Sequence, residues 1–142
     1  MSSICIIDYG KGNLKSVFNA VEALGTDASI ISHPAELAGY SHTILPGVGA
    51  FGEAMTALRQ NGWVDALNQH AMVERKPFLG ICLGMQLVAE KGTEHGEHEG
   101  LGWIRGTVTR LQGSEEARVP HIGWNDVELA GNPMLYDGLP SG

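Results

Sequence analysis

Residues 77–92 read PFLGICLGMQLVAEKG, an apolar stretch that passes through a cysteine between two glycines into a helix-like pattern. The apolar residues 77–81 predict a buried β-strand, and the pattern after Cys82 predicts a helix. Gly80 and Gly84 complete the form G-x-C-x-G, which is typical of a nucleophile elbow between a strand and a helix. Glycine is needed at both positions because side chains there would collide in so sharp a turn. The stretch therefore predicts a strained turn that exposes the Cys82 thiol.

The segments before this turn alternate between strand-like and helix-like patterns, as in a parallel sheet with crossover helices. The predicted strands are SICIID (3–8), ASIIS (28–32), HTILPG (42–47) and PFLGI (77–81). The predicted helical segments are 14–24, 34–40, 52–59, 63–72 and the one after Cys82, which carries Met85, Leu87 and Val88. Asn13 is placed to cap the first helix and Gly25 to end it. The sequence thus predicts an α/β fold with an open, mostly parallel sheet flanked by helices.

The pattern changes after Lys91. GTEHGEHEG (92–100) predicts a polar, Gly-rich loop, and NPMLYDGLPSG (132–142) predicts a turn-rich tail. Between them, GWIRGTVTRL (102–111) and ARVPHIGWNDVEL (117–129) predict strands of a more antiparallel kind. No interdomain linker or internal repeat interrupts the pattern, so we expect residues 1–142 to form a single domain.

The composition argues against several classes of protein. A net charge of −7 with only nine Lys and Arg residues argues against nucleic-acid binding. No window approaches the roughly 18 apolar residues of a membrane span, and the start lacks a basic leader followed by a long apolar stretch, so we expect a cytoplasmic protein. Two cysteines are too few for a disulfide framework or a closed Cys-rich zinc site.

His95 and His98 lie among glutamates in the polar loop, which leaves open either a surface metal site or a solvated loop. We favour the solvated loop because the neighbouring glycines are flexible and no helical spacing fixes the two rings. We expect neither a metal nor another cofactor.

Cys82 is the candidate nucleophile. At the start of a helix, unpaired N–H groups and the macrodipole stabilise a thiolate, which is the reactive form of cysteine. The alternative is that Cys82 is a small buried apolar residue, as most free cysteines are. Cys5 lies inside a strand with no turn signal, so for it we favour the buried interpretation.

The segment ILPGVGAFGEAM (44–55) places Pro46, Gly47, Val48 and Gly49 at the carboxyl end of a predicted strand. Ligand sites of open α/β sheets form at such ends. Backbone N–H groups there, together with the Leu83 N–H, are candidates to hold a developing oxyanion. The alternative is an ordinary strand-to-helix loop that uses glycine for flexibility.

Five motifs together resemble one enzyme family. GICLGMQL (80–87) is similar to the nucleophile motif of the class I, triad-type glutamine amidotransferases. DYGKGNLKSV (8–17), LPGVGAFGEAM (45–55), EGLGW (99–103) and VPHIGWN (119–125) narrow the resemblance to the HisH-type glutaminase subunits of imidazole glycerol phosphate synthase, over essentially the whole chain. The resemblance implies a flavodoxin-like amidotransferase fold.

The resemblance also implies an activity and a partner. Cys82 would attack the side-chain amide of glutamine, the N–H groups of Val48 and Leu83 would hold the oxyanion, and Gln86 would help to bind the substrate with Gly47 and Gly49. The ammonia would pass to a (βα)₈-barrel cyclase subunit for histidine biosynthesis. The expected cyclase-facing residues are Asn13, His121, Trp124 and Asn125. For Trp124 the alternative is a strand residue packed on the core.

One part of the family pattern has no counterpart among residues 1–142. In the family a His and a Glu near the C-terminus complete the triad, and none of the six histidines here is patterned to replace that histidine. We therefore expect a glutaminase domain truncated before the catalytic His/Glu segment and inactive or very slow alone. Two alternatives stay open: a non-catalytic interaction module, and a small Cys-dependent hydrolase or thiol-redox protein of similar fold.

Overall fold

The computed structural model describes residues 3–115, 118–130, 136 and 138. The chain divides into two compact units, Met1–Arg110 and Leu111–Gly142. In the first unit the strands are β1 (Ile4–Ile7), β2 (Ala28–Ile31), β3 (His42–Gly47), β4 (Phe78–Cys82), β5 (Ala89–Gly92), β6 (His98–Glu99) and β7 (Ile104–Val108). The α-helices are α1 (Leu14–Ala23), α2 (Phe51–Gln60), α3 (Trp63–Leu67) and α4 (Leu83–Gln86). A 3₁₀ helix spans Pro34–Gly39, and a π-helical turn spans Asn68–Val73.

A four-stranded parallel sheet organises the first unit. Its strand order is β2-β1-β3-β4, and all three pairings are parallel. Apolar side chains alternate between the two faces of β1, since Ile6 packs with α1 while Cys5 and Ile7 belong to the cluster that includes α2 and α3. The prediction of a mostly parallel sheet flanked by helices is confirmed, and the four predicted strands coincide with β1 to β4.

The helix boundaries follow local signals. The Asn13 side chain accepts a hydrogen bond from the Ser16 N–H at 3.3 Å, as expected of an N-cap. Gly25 adopts φ +74° just after α1 ends, a conformation that glycine reaches without strain. Trp63 is the largest fully buried side chain among the described residues, and it begins α3 after the positive-φ residue Gly62.

Strand β4 is an edge of the sheet and is half uncovered. Leu79 pairs in register with Ile44, whose face packs under α1. Helix α1 does not cover Leu79 and Ile81, which are 50% and 36% exposed. An apolar, parallel edge strand with one open face is unusual, because parallel sheets are normally covered on both sides.

A second sheet follows the first and has the order β6-β5-β7. Strand β5 pairs antiparallel with β6 and parallel with β7. Trp103 ties this part to the first sheet, because its indole N–H donates to Asn68 Oδ1 at 2.6 Å and its ring meets Phe78 edge-on at 4.8 Å. Strand β7 confirms the prediction of a strand in 102–111. The antiparallel pairing expected for it is wrong, because β7 pairs parallel with β5.

The second unit differs from the prediction. Residues 118–130 contain neither helix nor strand in the structure, so the strand predicted for 117–129 is wrong within its described part. Ile122, Trp124 and Val127 are exposed, and a segment that buries no alternating apolar face has little to fix it as a strand. Most of the predicted tail at 132–142 lies outside the described residues. Among the described residues, no helix has the length and apolar character that crossing a membrane requires.

Three side chains with polar atoms are in contact in the buried core of the first unit. The fully buried Cys5 Sγ lies 3.4 Å from Thr43 Oγ1, which in turn lies 2.9 Å from His70 Nε2. His70 is buried, and its Nδ1 has no hydrogen-bond partner. Burial lowers the pKa of His70, because the charged imidazolium would lose its hydration.

We expect this histidine to make the fold sensitive to acid. The folded state holds the His70 pKa below the ordinary value of 6.5, so the unfolded chain takes up a proton that the folded chain excludes. The resulting stability is present above about pH 6.5 and is lost as the pH falls below it. His70→Gln keeps a hydrogen-bonding group for Thr43 and cannot be protonated. Urea unfolding of both proteins between pH 7.5 and 5.5 should therefore show a smaller loss in the variant, and parallel pH curves would contradict this.

Candidate active site

Cys82 lies at the junction of β4 and α4 and is exposed. Its backbone has φ +54° and ψ −116°, a conformation that non-glycine residues rarely adopt and that costs of the order of 1–3 kcal/mol. The strained turn lifts the thiol out of the strand. The interpretation of Cys82 as a buried apolar residue is therefore wrong, and the elbow (residues 80–84) has the predicted form.

The two glycines of the elbow have no room for a side chain. A Cβ on Gly80 would lie 2.6 Å from the Gly84 carbonyl oxygen and from the Met85 backbone. A Cβ on Gly84 would overlap the carbonyl oxygen of Leu45 in the neighbouring strand. The glycines thus allow α4 to rest directly on β3 and β4, as the G-x-C-x-G pattern predicts.

The end of β3 lies directly beside the elbow. Gly47 pairs in register with Cys82, so Val48 and Leu83 leave the sheet at the same edge. A Cβ on Gly47 would lie 2.8 Å from the Gly84 nitrogen and 2.9 Å from the Leu83 Cβ, so this contact also requires glycine. The structure therefore brings together the PGVG loop (residues 46–49) and the elbow, which lie more than 30 residues apart in the sequence.

The helix after Cys82 is shorter than predicted. It ends at Gln86, and residues 89–92 form β5 instead of continuing the helix that Leu87 and Val88 were expected to share. The helix does not continue because the chain joins the second sheet region at this point. The carbonyls of Leu87 and Val88 accept hydrogen bonds from the N–H groups of Leu101 and Trp103. A single turn aligns few peptide dipoles, so α4 provides little of the macrodipole on which the prediction for Cys82 relied.

Gln86 is half-buried and borders a cleft of about 690 Å³. The other residues around this cleft are Thr93, Glu94, His95, Val108, Thr109 and Arg110. The cleft therefore lies beside the first turn after Cys82, with polar and charged groups on its walls.

Two residues at the site were missed in the sequence. Glu94 Oε2 accepts a hydrogen bond from the Phe51 N–H at 3.1 Å, and so holds the start of α2 just after the PGVG loop. Tyr9 is buried beneath Gly47. No local signal identifies either role, because each depends on a contact between segments that are about 40 residues apart. The only sequence signal that includes Tyr9 is the DYGKGNLKSV motif (8–17).

Among the described residues of the first unit, no histidine is hydrogen-bonded to Cys82, and His42 bonds to Ser41 and His70 to Thr43. In the second unit, His121 bonds to Asn125. His98 packs its ring against Gly52 in α2. In the part of the chain that the structure describes, no three His, Cys, Asp or Glu side chains converge to hold a metal ion.

The residues expected to face a partner are exposed. In the first unit, Asn13 is exposed at the start of α1. In the second unit, His121 Nε2 and Asn125 Nδ2 lie 2.9 Å apart, and the Trp124 side chain between them in sequence is fully exposed. The alternative interpretation of Trp124 as a residue packed on the core is therefore wrong.

Comparison with known proteins identifies the family. Residues 5–138 match the family described as glutamine amidotransferase class-I. The chain belongs to this family. It is 49% identical over 137 residues to the imidazole glycerol phosphate synthase subunit HisH of Desulfitobacterium hafniense, and 44% identical over 136 residues to subunit HisH 1 of Campylobacter jejuni. Both alignments cover 96% of this amidotransferase chain.

The relatives are longer than this class-I amidotransferase chain. It spans 64% of the length of the Desulfitobacterium protein and 68% of the Campylobacter protein. A crystal structure of a glutamine amidotransferase superposes with a TM-score of 0.63 at 22% identity, over 75% of this chain and 56% of that one. This structural similarity supports the fold.

The two cysteines of this amidotransferase chain should differ sharply in reactivity. Cys82 is exposed on a strained turn, whereas Cys5 is fully buried, and burial raises the pKa of its thiol. Limiting iodoacetamide near neutral pH should therefore modify Cys82 first, as measured by peptide mass spectrometry. Cys82→Ala should leave Cys5 almost unlabelled until the protein is unfolded in urea. Equal labelling of the two thiols in the folded chain would contradict the assignment of Cys82.

Proposed function

We propose that this chain is the N-terminal part of a glutaminase subunit of imidazole glycerol phosphate synthase, which hydrolyses glutamine to glutamate and ammonia. The observation that carries the proposal is the exposed Cys82 at φ +54°, in register with Gly47 of the PGVG loop. The identity of 44–49% to proteins named as HisH subunits supports the choice of this branch of the family.

The proposed chemistry follows the geometry of the elbow. The Cys82 thiolate attacks the side-chain amide carbon of glutamine, and the carbonyl oxygen becomes an oxyanion. The N–H groups of Val48 and Leu83 stabilise that charge, a kind of contribution that is worth about 10²–10³ in rate per donor. The C–N bond then breaks, ammonia leaves with an added proton, and a γ-glutamyl thioester remains for water to hydrolyse.

Substrate binding is assigned to the two segments on either side of the nucleophile. Gly47 and Gly49 leave the backbone of the PGVG loop open to a ligand, and Gly49 adopts φ +103°, which suits glycine. Gln86 follows one turn after Cys82 and borders the 690 Å³ cleft. An amide side chain at that place suits recognition of the polar end of glutamine.

We further propose that the proton-transfer groups belong to a segment beyond residue 142. The relatives are about half as long again as the stretch matched here, and no described histidine of the first unit is hydrogen-bonded to Cys82. The open face of β4 at Leu79 and Ile81 is suited to be covered by such a segment. Without that segment, the elbow lacks these proton-transfer groups. This favours a second candidate function for the 142-residue chain alone, namely a module that binds its partner without turnover.

The proposed partner is the cyclase subunit, in a heterodimer in the cytoplasm that channels ammonia away from the elbow. The exposed Trp124 supports this assignment, because a fully exposed indole is uncommon on a surface that meets only water. Asn13, His121 and Asn125 add exposed polar groups of the kind found around such aromatic residues.

The first test compares the 142-residue chain with an extended chain that carries the C-terminal segment of the Desulfitobacterium relative. With saturating cyclase, the short chain should release glutamate at least about 10³ more slowly, because removing triad members costs rates on that scale. The matched control is an extended chain with its catalytic-segment histidine changed to alanine, which should be folded and slow. Rapid turnover by the short chain would show that its own residues supply the base.

The second test addresses the partner surface. Trp124→Ala should weaken cyclase binding by about 2 kcal/mol or more if this indole is a central contact. Leu24→Ala is the matched control, because Leu24 is 83% exposed at the end of α1 and is assigned no contact. Calorimetric titration measures both, with circular dichroism to check the fold. Unchanged affinity in the folded Trp124 variant would remove Trp124 from the proposed interface.

A further inference from the structure

The Tyr9 hydroxyl is buried without a hydrogen-bond partner. Tyr9 is 3% exposed and lies two residues after the end of β1, and its oxygen has essentially no accessible surface. Polar groups removed from water are almost always paired, because an unpaired hydroxyl loses its hydration without compensation. A buried, unpaired hydroxyl therefore calls for an explanation.

This hydroxyl lies where the two segments of the candidate active site meet. A Cβ on Gly47 would lie 2.8 Å from the Tyr9 oxygen, 2.8 Å from the Gly84 nitrogen and 2.9 Å from the Leu83 Cβ. The phenol oxygen is thus within contact range of the backbone just before Val48, on the side where the elbow packs.

Two residues of the loop after β1 lie against the PGVG loop. Three residues after Tyr9, a Cβ on Gly12 would lie 3.3 Å from the Pro46 side chain. Tyr9 and Gly12 of one loop therefore contact the consecutive residues Gly47 and Pro46 of the other. Asp8 Oδ1 accepts a hydrogen bond from the Gly10 N–H at 3.0 Å, which helps to fix the supporting loop.

The hydroxyl keeps its proton at neutral pH. Burial raises the pKa of Tyr9 to about 12, since a phenolate would be poorly solvated there. A neutral phenol can donate one hydrogen bond and accept another, so it can pair with either a carbonyl or an N–H group of the adjacent backbone.

We propose that Tyr9 is a positioning residue for the oxyanion site, and that its hydroxyl donates its missing hydrogen bond to the Gly47 carbonyl oxygen when the tetrahedral intermediate forms. The inference rests on the proposed function. A bond made only at that stage holds the Val48 N–H towards the oxyanion and lowers the barrier without strengthening substrate binding. It also leaves the free protein no more stable than a protein without the hydroxyl.

A substrate with a good leaving group tests this on the 142-residue chain itself. The probe is the γ-(4-nitrophenyl) ester of glutamic acid. The Cys82 thiolate attacks its γ-carbonyl carbon, the C–O bond to the leaving group breaks, and 4-nitrophenolate departs with the electron pair, leaving a γ-glutamyl thioester. Because 4-nitrophenolate leaves without being protonated, the step needs the nucleophile and the oxyanion site but no catalytic acid. The burst of absorbance gives the acylation rate and its dependence on ester concentration.

Four proteins are compared: the parent chain, Tyr9→Phe, Tyr40→Phe and Cys82→Ala. Tyr9→Phe removes only the hydroxyl. Tyr40→Phe does the same at a partly buried tyrosine after the 3₁₀ helix, just before the start of β3, whereas the PGVG loop lies at the end of that strand. Alkylation of Cys82 by iodoacetamide is measured in parallel, since that displacement develops no oxyanion and reports only on the thiol.

We expect Tyr9→Phe to lower the maximal acylation rate about tenfold, less than the loss of a direct oxyanion donor. The half-saturating ester concentration, the alkylation rate and the melting temperature should stay at or near the parent values, and Tyr40→Phe should match the parent throughout.

If the parent is active and Tyr9→Phe has the same maximal acylation rate, the inference is overturned and the proposed function stands. A lower melting temperature or lost circular dichroism in Tyr9→Phe would also overturn it, because the hydroxyl would then stabilise the free protein, for example through a buried water. A change confined to the half-saturating concentration would assign the hydroxyl to binding and contradict positioning. If the parent shows no burst above Cys82→Ala, the proposed function itself fails, and the inference with it.

Discussion

The candidate site depends on the close approach of the elbow to strand β3. Gly84 rests on the Leu45 carbonyl so closely that no Cβ fits, and Gly47 meets Leu83 and Gly84 in the same way. This contact fixes the register of Gly47 with Cys82, and so places the PGVG loop beside the thiol. A larger residue at either glycine would push the loop and the nucleophile apart, and small displacements of reacting groups are costly in catalysis.

The same contact accounts for the difference between the two cysteines. Both follow apolar residues of parallel strands, yet Cys5 points into the core and bonds to Thr43, while Cys82 is turned outward. The left-handed backbone of Cys82 costs free energy that the packing of α4 on β3 and β4 must offset. Backbone geometry, more than neighbouring side chains, therefore leaves one thiol accessible and the other buried.

Local patterns made much of this predictable. Strands β1 to β4, helix α1 with its Asn13 cap, and the G-x-C-x-G turn each follow from residues close together in sequence. Contacts between distant segments decided the rest: Leu101 and Trp103 end the helix after Cys82 by bonding to Leu87 and Val88, and Glu94 reaches Phe51 from 43 residues away. The segment 118–130 failed as a strand because apolar alternation requires a partner surface, which its exposed side chains do not have.

The uncovered face of the sheet and the candidate nucleophile belong to the same strand, β4. Phe78 packs inward on Trp103, whereas Leu79 and Ile81 face outward on the side that α1 leaves open. A parallel strand gains its stability from burial on both faces, so this face is where an added segment would contribute most to folding. Strand β4 also carries Cys82 at its end. Under the proposed function, a segment that covers Leu79 and Ile81 therefore packs on the strand that carries Cys82. A base on that segment would lie close enough to Cys82 to reach the thiol.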